Sequence, residues 1–240
     1  MMVRSAVFLM LQLVLTVVFA LLALLTFPFS IWVRYRVITT WNRLIVWLAR
    51  WVCGIRYEVI GLANLPTAPS IIMAKHQSAW ETIALPVILP PMAIVLKREL
   101  LRIPFFGWGM AMLKPIAIDR GDGRAALKQI TEQGKQRLAD GMGVLIFPEG
   151  TRVAVGEMGK YNIGGAWLAT HADSLVVPVA HNAGQCWPKG AFLKRAGVIT
   201  VSIGPAINPQ GMKADALNKA VQTWIEAEMT RLADAQATTK

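Results

Sequence analysis

The sequence predicts an α/β fold: a mixed central sheet flanked by helices on both faces and preceded by an N-terminal membrane-associated helical segment. Three observations indicate this fold. The first 57 residues include a long uncharged apolar run. Beyond them, short apolar runs alternate with helical patterns, which is typical of a sheet covered on both faces. Of the 240 residues, 55% are hydrophobic and 16% are charged, against about 25% charged in soluble domains. This composition excludes disorder, fibrous repeats and an ordinary cytosolic globular protein.

The N-terminal segment is apolar enough to contact lipid. Residues 6–33 carry no formal charge, and as a helix they would extend about 42 Å, against a hydrocarbon core of about 30 Å. We expect Pro28 to kink or end this first helix. A second helix over 32–51 then mixes aromatic and basic side chains as interfacial helices do: Trp41, Arg43, Trp47, Arg50 and Trp51.

Positive charge is concentrated in this segment. Six arginines and no acidic residue precede Glu58, which accounts for +6 of the net +11. A cleaved signal peptide is the alternative, but the apolar run exceeds the usual length of about 7–15 residues and no small-x-small cleavage site follows it. The arginines after the run predict an anchor in the inner (cytoplasmic) membrane, with the rest of the chain facing the cytoplasm. The predicted division is an anchor with an interfacial helix (1–56), an α/β domain (57–235) and a disordered tail (236–240).

The α/β domain is predicted to contain seven strands and five helices. The strands are apolar runs bounded by Gly, Pro or polar residues, and the first of them is expected to pair late. They span residues 56–60, 70–74, 93–96, 114–118, 143–147, 175–180 and 198–203. The helical patterns between and after them span residues 79–85, 103–112, 123–139, 164–171 and 213–235.

The first reactive group follows strand 70–74. Loops at the carboxyl ends of such strands form the ligand crevice, and here His76 is followed five residues later by Glu81. Because five residues turn about 500° along an α-helix, His76 must lie before the helix to meet the Glu81 carboxylate. One ring nitrogen would bind Glu81 and the other would act as a base toward a hydroxyl. A surface histidine near an unrelated helix carboxylate is the alternative.

A phosphate clamp is predicted after strand 143–147. This strand opens into a fixed turn, a glycine that permits close backbone approach, a hydroxyl donor and a guanidinium whose fork matches a phosphate. The loop is Pro148-Glu149-Gly150-Thr151-Arg152. A tight surface turn with an internal Glu149–Arg152 pair is equally compatible with this pentapeptide.

Basic side chains also follow strand 93–96. Lys97, Arg98 and Arg102 lie beside the aromatic, glycine-containing stretch 103–109. A solvated run of charges is the default interpretation of three basic residues in six. Aromatic residues of this kind are more typical of a core or of a membrane-facing patch than of a ligand site.

The spacing of the serine and histidine residues gives little support to a serine nucleophile or a metal site. There is no Gly-x-Ser-x-Gly elbow, so we expect Ser78 to cap the following helix instead of acting as a nucleophile. His76, His171 and His181 form no recognisable metal-binding set, and no metal is expected. His171 is interpreted as a surface residue at a helix end. His181 is interpreted as a structural histidine, with a place in the crevice as the alternative.

In this order and spacing, the elements resemble the 1-acyl-glycerol-3-phosphate acyltransferase family over four blocks. Residues 76–81 resemble the family's block of a histidine, four residues and an aspartate, except that Glu81 stands at the aspartate position. Residues 97–100, with Pro104 and Gly107, are similar to the second block, and residues 147–152 match the third block in full. Val177-Pro178-Val179 resembles the fourth block, and Ile118-Asp119-Arg120 falls where the family has such a tripeptide.

The resemblance implies a membrane-bound O-acyltransferase that makes phosphatidic acid for phospholipid biosynthesis without a cofactor. His76 and Glu81 would be the catalytic pair, acting on a lysophospholipid hydroxyl and an acyl thioester of coenzyme A or acyl carrier protein. The acceptor phosphate would be held by the third block together with Lys97 or Arg98. In that block Glu149 would hold the loop or meet the glycerol, beside Gly150, Thr151 and Arg152. The fourth block, Val177, Pro178 and Val179, would shape an apolar wall for the acyl chain.

Two alternatives stay open on the sequence. One is a non-enzymatic membrane-bound module that binds a lipid or phosphate, which would need the apolar segment and Arg152 but not the pairing of His76 with Glu81. The other is an acyltransferase that acts on a different lysolipid. Nucleic acid is not an expected partner, because the excess charge lies beside the apolar segment and not along a soluble face with stacking residues.

Overall fold

The computed structural model describes residues 1–119 and 121–237. The helices are α1 (Met2–Leu25), α2 (Ile31–Cys53), α3 (Trp80–Ile88), α4 (Phe106–Met112), α5 (Gly123–Ala139), α6 (Gly164–Ala172), α7 (Ala183–Cys186) and α8 (Ala214–Ala237). The strands are β1 (Ile55–Ile60), β2 (Ile71–Ala74), β3 (Met92–Lys97), β4 (Ile116–Ile118), β5 (Gly143–Ile146), β6 (Val176–His181) and β7 (Gly197–Ile203). Short 3₁₀ helices span Leu62–Asn64 and Arg98–Arg102. Arg120, from the tripeptide noted above, and tail residues 238–240 lie outside the described residues.

In the described ranges, seven strands form one mixed sheet in the order β1-β7-β6-β2-β5-β3-β4. Neighbouring strands are parallel except β6 and β7, which are antiparallel. The predicted mixed α/β sheet is therefore confirmed. The first strand does pair late, since β1 lies at one edge beside β7, the last strand of the chain.

Two apolar cores cover the two faces of the sheet. The side chains of β2 alternate between them, with Ile72 in one core and Ile71 and Met73 in the other. Helices α2 and α3 pack on the first face, while α5, α6 and α8 pack on the second. All residues of β2 and β6 are buried. This burial on both sides explains why these strands are continuous apolar runs.

The N-terminal segment forms a helical hairpin on the domain. Helix α1 ends at Leu25, before Pro28. Helix α2 begins at Ile31 and ends at Cys53, followed by the C-cap residue Gly54, whose φ of 74° is left-handed. Helix α1 packs against α2 and α4. Its other face is exposed and apolar, and among the described residues α1 is the one helix long and apolar enough to cross a membrane.

Local backbone geometry shifts two predicted boundaries. The fourth strand begins at Ile116 and not at residue 114, because Lys114 has a φ of 50°, outside the extended region. The helix predicted over 103–112 begins at Phe106, because Phe105 has a φ of 61° and interrupts it. At the other end of the chain, α8 continues to Ala237, past the predicted helix end at residue 235.

Candidate active site

His76 and Glu81 meet at the carboxyl end of β2. The strand ends at Ala74, His76 follows in the loop, and Glu81 lies in the first turn of α3. His76 Nδ1 and Glu81 Oε1 are 2.9 Å apart. The structure therefore brings the two residues together in the way that their spacing predicts, with the imidazole before the helix and the carboxylate on it.

The Glu81 carboxylate is held as an anion although it is fully buried. Burial opposes ionisation, but the hydrogen bond from His76 and the backbone N–H of Ser78 bring the pKa of Glu81 below its usual value. Its Oε1 accepts hydrogen bonds from the backbone N–H groups of Gln77 (2.9 Å) and Ser78 (2.7 Å). Because an ionised carboxylate can only accept, His76 donates its Nδ1–H, and in the neutral form of the ring the lone pair is then on Nε2.

The two oxygens of the Glu81 carboxylate differ in their contacts. Oε1 makes all three contacts, while Oε2 is buried and has no hydrogen-bond partner among the described residues. The extra methylene has not prevented contact with the imidazole. Ser78 Oγ accepts the N–H of Trp80, the first residue of α3, at 3.0 Å, although the N-cap residue of this helix is Ala79.

The imidazole of His76 is fixed by an aromatic neighbour as well. Its ring stacks on Phe147 with centroids 4.1 Å apart and planes 18° apart. Phe147 directly follows β5, so two adjacent strand ends supply the histidine and the surface on which it rests. The side chain of His76 is 13% exposed, which leaves it open to a cavity and otherwise enclosed.

An apolar cavity of about 300 Å³ begins at His76. Its wall on the α/β domain includes Ile83, Met92 and Leu96. The opposite wall comes from the N-terminal hairpin, including Phe19 of α1 and Ile38 of α2. The hairpin is therefore part of the candidate site as well as a candidate membrane anchor.

The sequence interpretation missed the contribution of α2 to this cavity. Tyr35, Ile38, Thr39 and Asn42 all line it. Two polar contacts hold the helix to the domain: Asn42 Nδ2 donates to the carbonyl of Ile83 (2.7 Å), and the Met92 N–H donates to the Tyr35 hydroxyl (3.3 Å). The spacing of three and four residues was a visible signal, because it places these side chains on one helix face.

Arg152 is the basic member of the third block that reaches the cavity. It lines the same space as His76, and its buried Nε has no hydrogen-bond partner in the described chain. Gly150, with a φ of 68°, forms the turn before it, and its N–H donates to the carbonyl of Phe147 at 2.9 Å. Thr151 is exposed. A guanidinium with unused donors at the mouth of an apolar cavity is suited to an anion.

Glu149 contacts the residues around the candidate base and not the loop of the third block. Its buried carboxylate turns away from the cavity: Oε2 accepts the backbone N–H of His76 (3.0 Å), and Oε1 accepts from Lys75 Nζ (2.8 Å) and the Gly159 N–H (3.0 Å). Glu149 does not line the cavity. It holds the main chain of the candidate base.

Five further predicted site residues lie apart from the cavity lining. Lys97 and Glu99 form a half-exposed ion pair at 3.2 Å, and Arg98 is exposed in the following 3₁₀ helix. Val177, Pro178 and Val179 are buried in the middle of β6, beside β2. The fourth block is therefore a central strand, and its three residues do not line this cavity.

The other two histidines do not line the cavity. His171 lies at the end of α6, exposed, with Nδ1 2.8 Å from the carbonyl of Trp167. His181 ends β6 and is fully buried. In residues 1–119 and 121–237, no group of three or more His, Cys, Asp or Glu side chains is placed to hold a metal ion.

The chain is similar to known acyltransferases. Residues 56–182 match a family model described as Acyltransferase. A 1-acyl-sn-glycerol-3-phosphate acyltransferase of Pseudomonas aeruginosa is 51% identical over 207 residues, covering 85% of this chain and 80% of that protein. The 1-acyl-sn-glycerol-3-phosphate acyltransferase alpha of Mus musculus is 29% identical, covering 72% of this chain and 62% of the mouse protein.

The fold is also similar to a solved structure. The crystal structure of the 1-acyl-sn-glycerophosphate acyltransferase from Thermotoga maritima superposes with a TM-score of 0.79 at 21% sequence identity. The match covers 96% of this chain and 95% of that one. At this identity the likeness concerns the fold, including the N-terminal hairpin within the covered length.

Proposed function

The chain belongs to the 1-acyl-sn-glycerol-3-phosphate acyltransferase family, and we propose that it transfers a fatty acyl group from an acyl thioester to the free hydroxyl of 1-acyl-glycerol-3-phosphate, giving phosphatidic acid. The observation that carries this proposal is the His76 Nδ1 to Glu81 Oε1 contact of 2.9 Å beside an apolar cavity. The donor thioester is that of acyl-CoA or acyl carrier protein. No cofactor takes part in the proposed reaction.

His76 acts as the general base. Its Nε2 takes the proton of the acceptor hydroxyl while the oxygen attacks the thioester carbonyl, and Glu81 stabilises the imidazolium that forms. The tetrahedral intermediate collapses by breaking the carbon–sulfur bond, and the proton on Nε2 passes to the departing thiolate. The products are an ester and a free thiol, so atoms and charges balance without a protein nucleophile.

The acceptor is held at both of its ends. Arg152 binds the phosphate, which is consistent with its buried Nε having no partner in the described chain. The cavity behind His76 takes an apolar chain, since aliphatic and aromatic side chains from α1, α2, α4 and the sheet dominate its lining. Holding both substrates against His76 supplies the entropic part of the rate enhancement.

Replacing Arg152 tests the proposed acceptor. With Arg152→Gln, the KM for lysophosphatidic acid is expected to rise roughly 10- to 100-fold, because charge-assisted hydrogen bonds to the phosphate are lost. The measurement is steady-state acyl transfer from acyl-CoA and from acyl carrier protein, with monoacylglycerol as the acceptor that lacks phosphate. Lys128→Gln, on an exposed face of α5, is the matched control and should leave the KM unchanged.

The outcomes of this assay separate the alternatives. If the native protein acylates another lysolipid faster than lysophosphatidic acid, the proposed acceptor is wrong. If it transfers no acyl group to any lysolipid, the proposed enzyme activity is wrong. If Arg152→Gln changes the rates with monoacylglycerol and lysophosphatidic acid equally, Arg152 does not bind the phosphate.

We further propose that the hairpin lies in one leaflet of the inner membrane, with the catalytic domain on the cytoplasmic side. Both ends of α1 contact the same domain. Near its start, Ser5 Oγ accepts the N–H of Lys194 (3.0 Å), and Phe8 packs edge-on against Trp187. Near its end, Ala20 and Ala23 are buried, and Ala20 lies beside Gly109 of α4. Helix α1 is about 36 Å long and contacts one domain along its length. It therefore lies along that domain and does not extend away from it across the bilayer.

Labelling from one side of the membrane tests this arrangement. In inside-out vesicles, an impermeant maleimide is expected to label both Met2→Cys and Leu25→Cys, because both ends of α1 face the same side. The native cysteines, Cys53 and Cys186, are buried and give little background. Labelling of only one of the two introduced cysteines, with the other labelled from the opposite side, would show that α1 crosses the membrane.

A further inference from the structure

The peptide group between Lys75 and His76 is held by side chains. Residue 75 lies just beyond the end of β2, although its N–H still donates to the carbonyl of Val179 (2.9 Å). The Lys75 carbonyl is 2.8 Å from His181 Nε2, and the His76 N–H donates to Glu149 Oε2 at 3.0 Å. Both polar atoms of the peptide that precedes the general base are therefore bound by buried side chains.

His181 donates one of these two hydrogen bonds. It is fully buried at the end of β6, and burial lowers its pKa more than the nearby Glu81 carboxylate raises it, so the ring is neutral. The N–H of Ala183 donates to Nδ1 at 3.3 Å. The proton of the neutral ring must then be on Nε2, where it is donated to the Lys75 carbonyl.

Glu149 accepts on the other side and is held by a second set of contacts. Lys75 Nζ binds Glu149 Oε1 (2.8 Å), the carbonyl of Glu157 (3.2 Å) and Glu226 Oε1 (2.9 Å). The hydroxyl of Tyr161 donates to the same Glu226 oxygen at 2.7 Å. Helix α8 therefore supports Glu149 through Glu226 and Lys75. These contacts do not involve His181.

We propose that His181 is a positioning residue for acyl transfer, acting through the Lys75 carbonyl to set the direction in which His76 presents Nε2 to the acceptor hydroxyl. The inference rests on the proposed function and deepens it. His181 does not line the cavity and therefore touches no substrate. Without the Nε2–H donor, the buried Lys75 carbonyl would lose its partner and the peptide would rotate to find another, displacing the imidazole it carries.

This role predicts a selective effect on kcat. His181→Leu removes the donor and is expected to lower kcat about 30- to 100-fold, since misplacement by about 1 Å can cost a factor of that order. The KM for lysophosphatidic acid should change less than about twofold, because Arg152 and the cavity are untouched. His181→Gln should restore kcat to within about fivefold of native, because its amide nitrogen lies about as far from Cα as the imidazole Nε2.

The experiment is steady-state acyl transfer with lysophosphatidic acid, with circular dichroism and thermal unfolding on each variant. The proposal is overturned if folded His181→Leu keeps kcat near native, if KM rises as much as kcat falls, or if Leu and Gln variants are equally slow.

If His181→Leu does not fold, His181→Asn replaces it. The asparagine amide is polar but too short to reach the Lys75 carbonyl, so Asn and Gln variants of equal rate would also overturn the proposal. A native protein without acyl transfer would instead contradict the proposed function.

Discussion

Replacing His76 with alanine is expected to lower kcat for acyl transfer by about 10²–10⁴-fold, the usual contribution of a positioned general base. The imidazole is the one group that the proposed mechanism uses to move the hydroxyl proton. Its Nδ1 is occupied by Glu81 at 2.9 Å, so the loss of the ring also removes the group that Glu81 stabilises. The measurement is the rate of phosphatidic acid formation at saturating thioester and lysophosphatidic acid.

The fold should survive this substitution. His76 is partly exposed to the cavity, and its main-chain contacts with Glu149 and Val153 do not involve the ring. We therefore expect the KM for lysophosphatidic acid to stay within about threefold of native, since Arg152 remains in place. His171→Ala is the matched control, because that imidazole is exposed on α6 and contacts its own helix. Native turnover in His76→Ala would contradict the general-base mechanism.

The fold and the His76–Glu81 pair could be predicted because their signals are local. Each strand is an apolar run read within a few residues, and the histidine and the glutamate are five residues apart. One side chain lies just after a strand and the other lies in the first turn of the following helix. These two positions alone bring the side chains together at the edge of the sheet. The contact was therefore available without knowledge of the sheet order.

The direction in which the Glu149 carboxylate points could not be predicted in the same way. Its partner Lys75 lies 74 residues earlier, and the Glu226 that completes the cluster lies 151 residues from Lys75. No short pattern encodes such contacts. In the sequence, the glutamate stands beside a glycine, a threonine and an arginine that suit a phosphate, and so it was grouped with them. Only the neighbouring strands and α8 show that its carboxylate turns inward.

The cavity wall on α2 was missed for a different reason. The aromatic and apolar residues of this helix are explained equally well by lipid and by a protein core, since both environments are apolar. The structure divides them by face: Trp47 and Trp51 are exposed, whereas Tyr35 and Ile38 are buried against the domain. Sequence composition shows how apolar a helix is, but the partner of each face depends on tertiary packing.

Replacing Lys75 with methionine is expected to lower the free energy of unfolding by about 3–5 kcal/mol, the usual cost of removing one partner from a buried ion pair. Lys75 is 1% exposed and the Glu149 side chain is fully buried. The substitution leaves the Glu149 carboxylate with two backbone N–H donors and no positive charge. Glu226 is less affected, because it is 24% exposed and keeps the Tyr161 hydroxyl.

A double-mutant cycle distinguishes this ion pair from general loss of packing. Lys75→Met, Glu149→Gln and the double variant are compared by denaturant unfolding in the same detergent. We expect the double variant to lose about 1–3 kcal/mol less than the sum of the single variants, because the buried charge that each leaves behind is then absent. Lys128, whose side chain is 75% exposed, is paired with Glu132, and Lys128→Met should change stability by less than about 0.5 kcal/mol. Additive losses in the cycle would show that Lys75 stabilises the fold by packing alone, and His76 would then depend on Glu149 without help from the ammonium group.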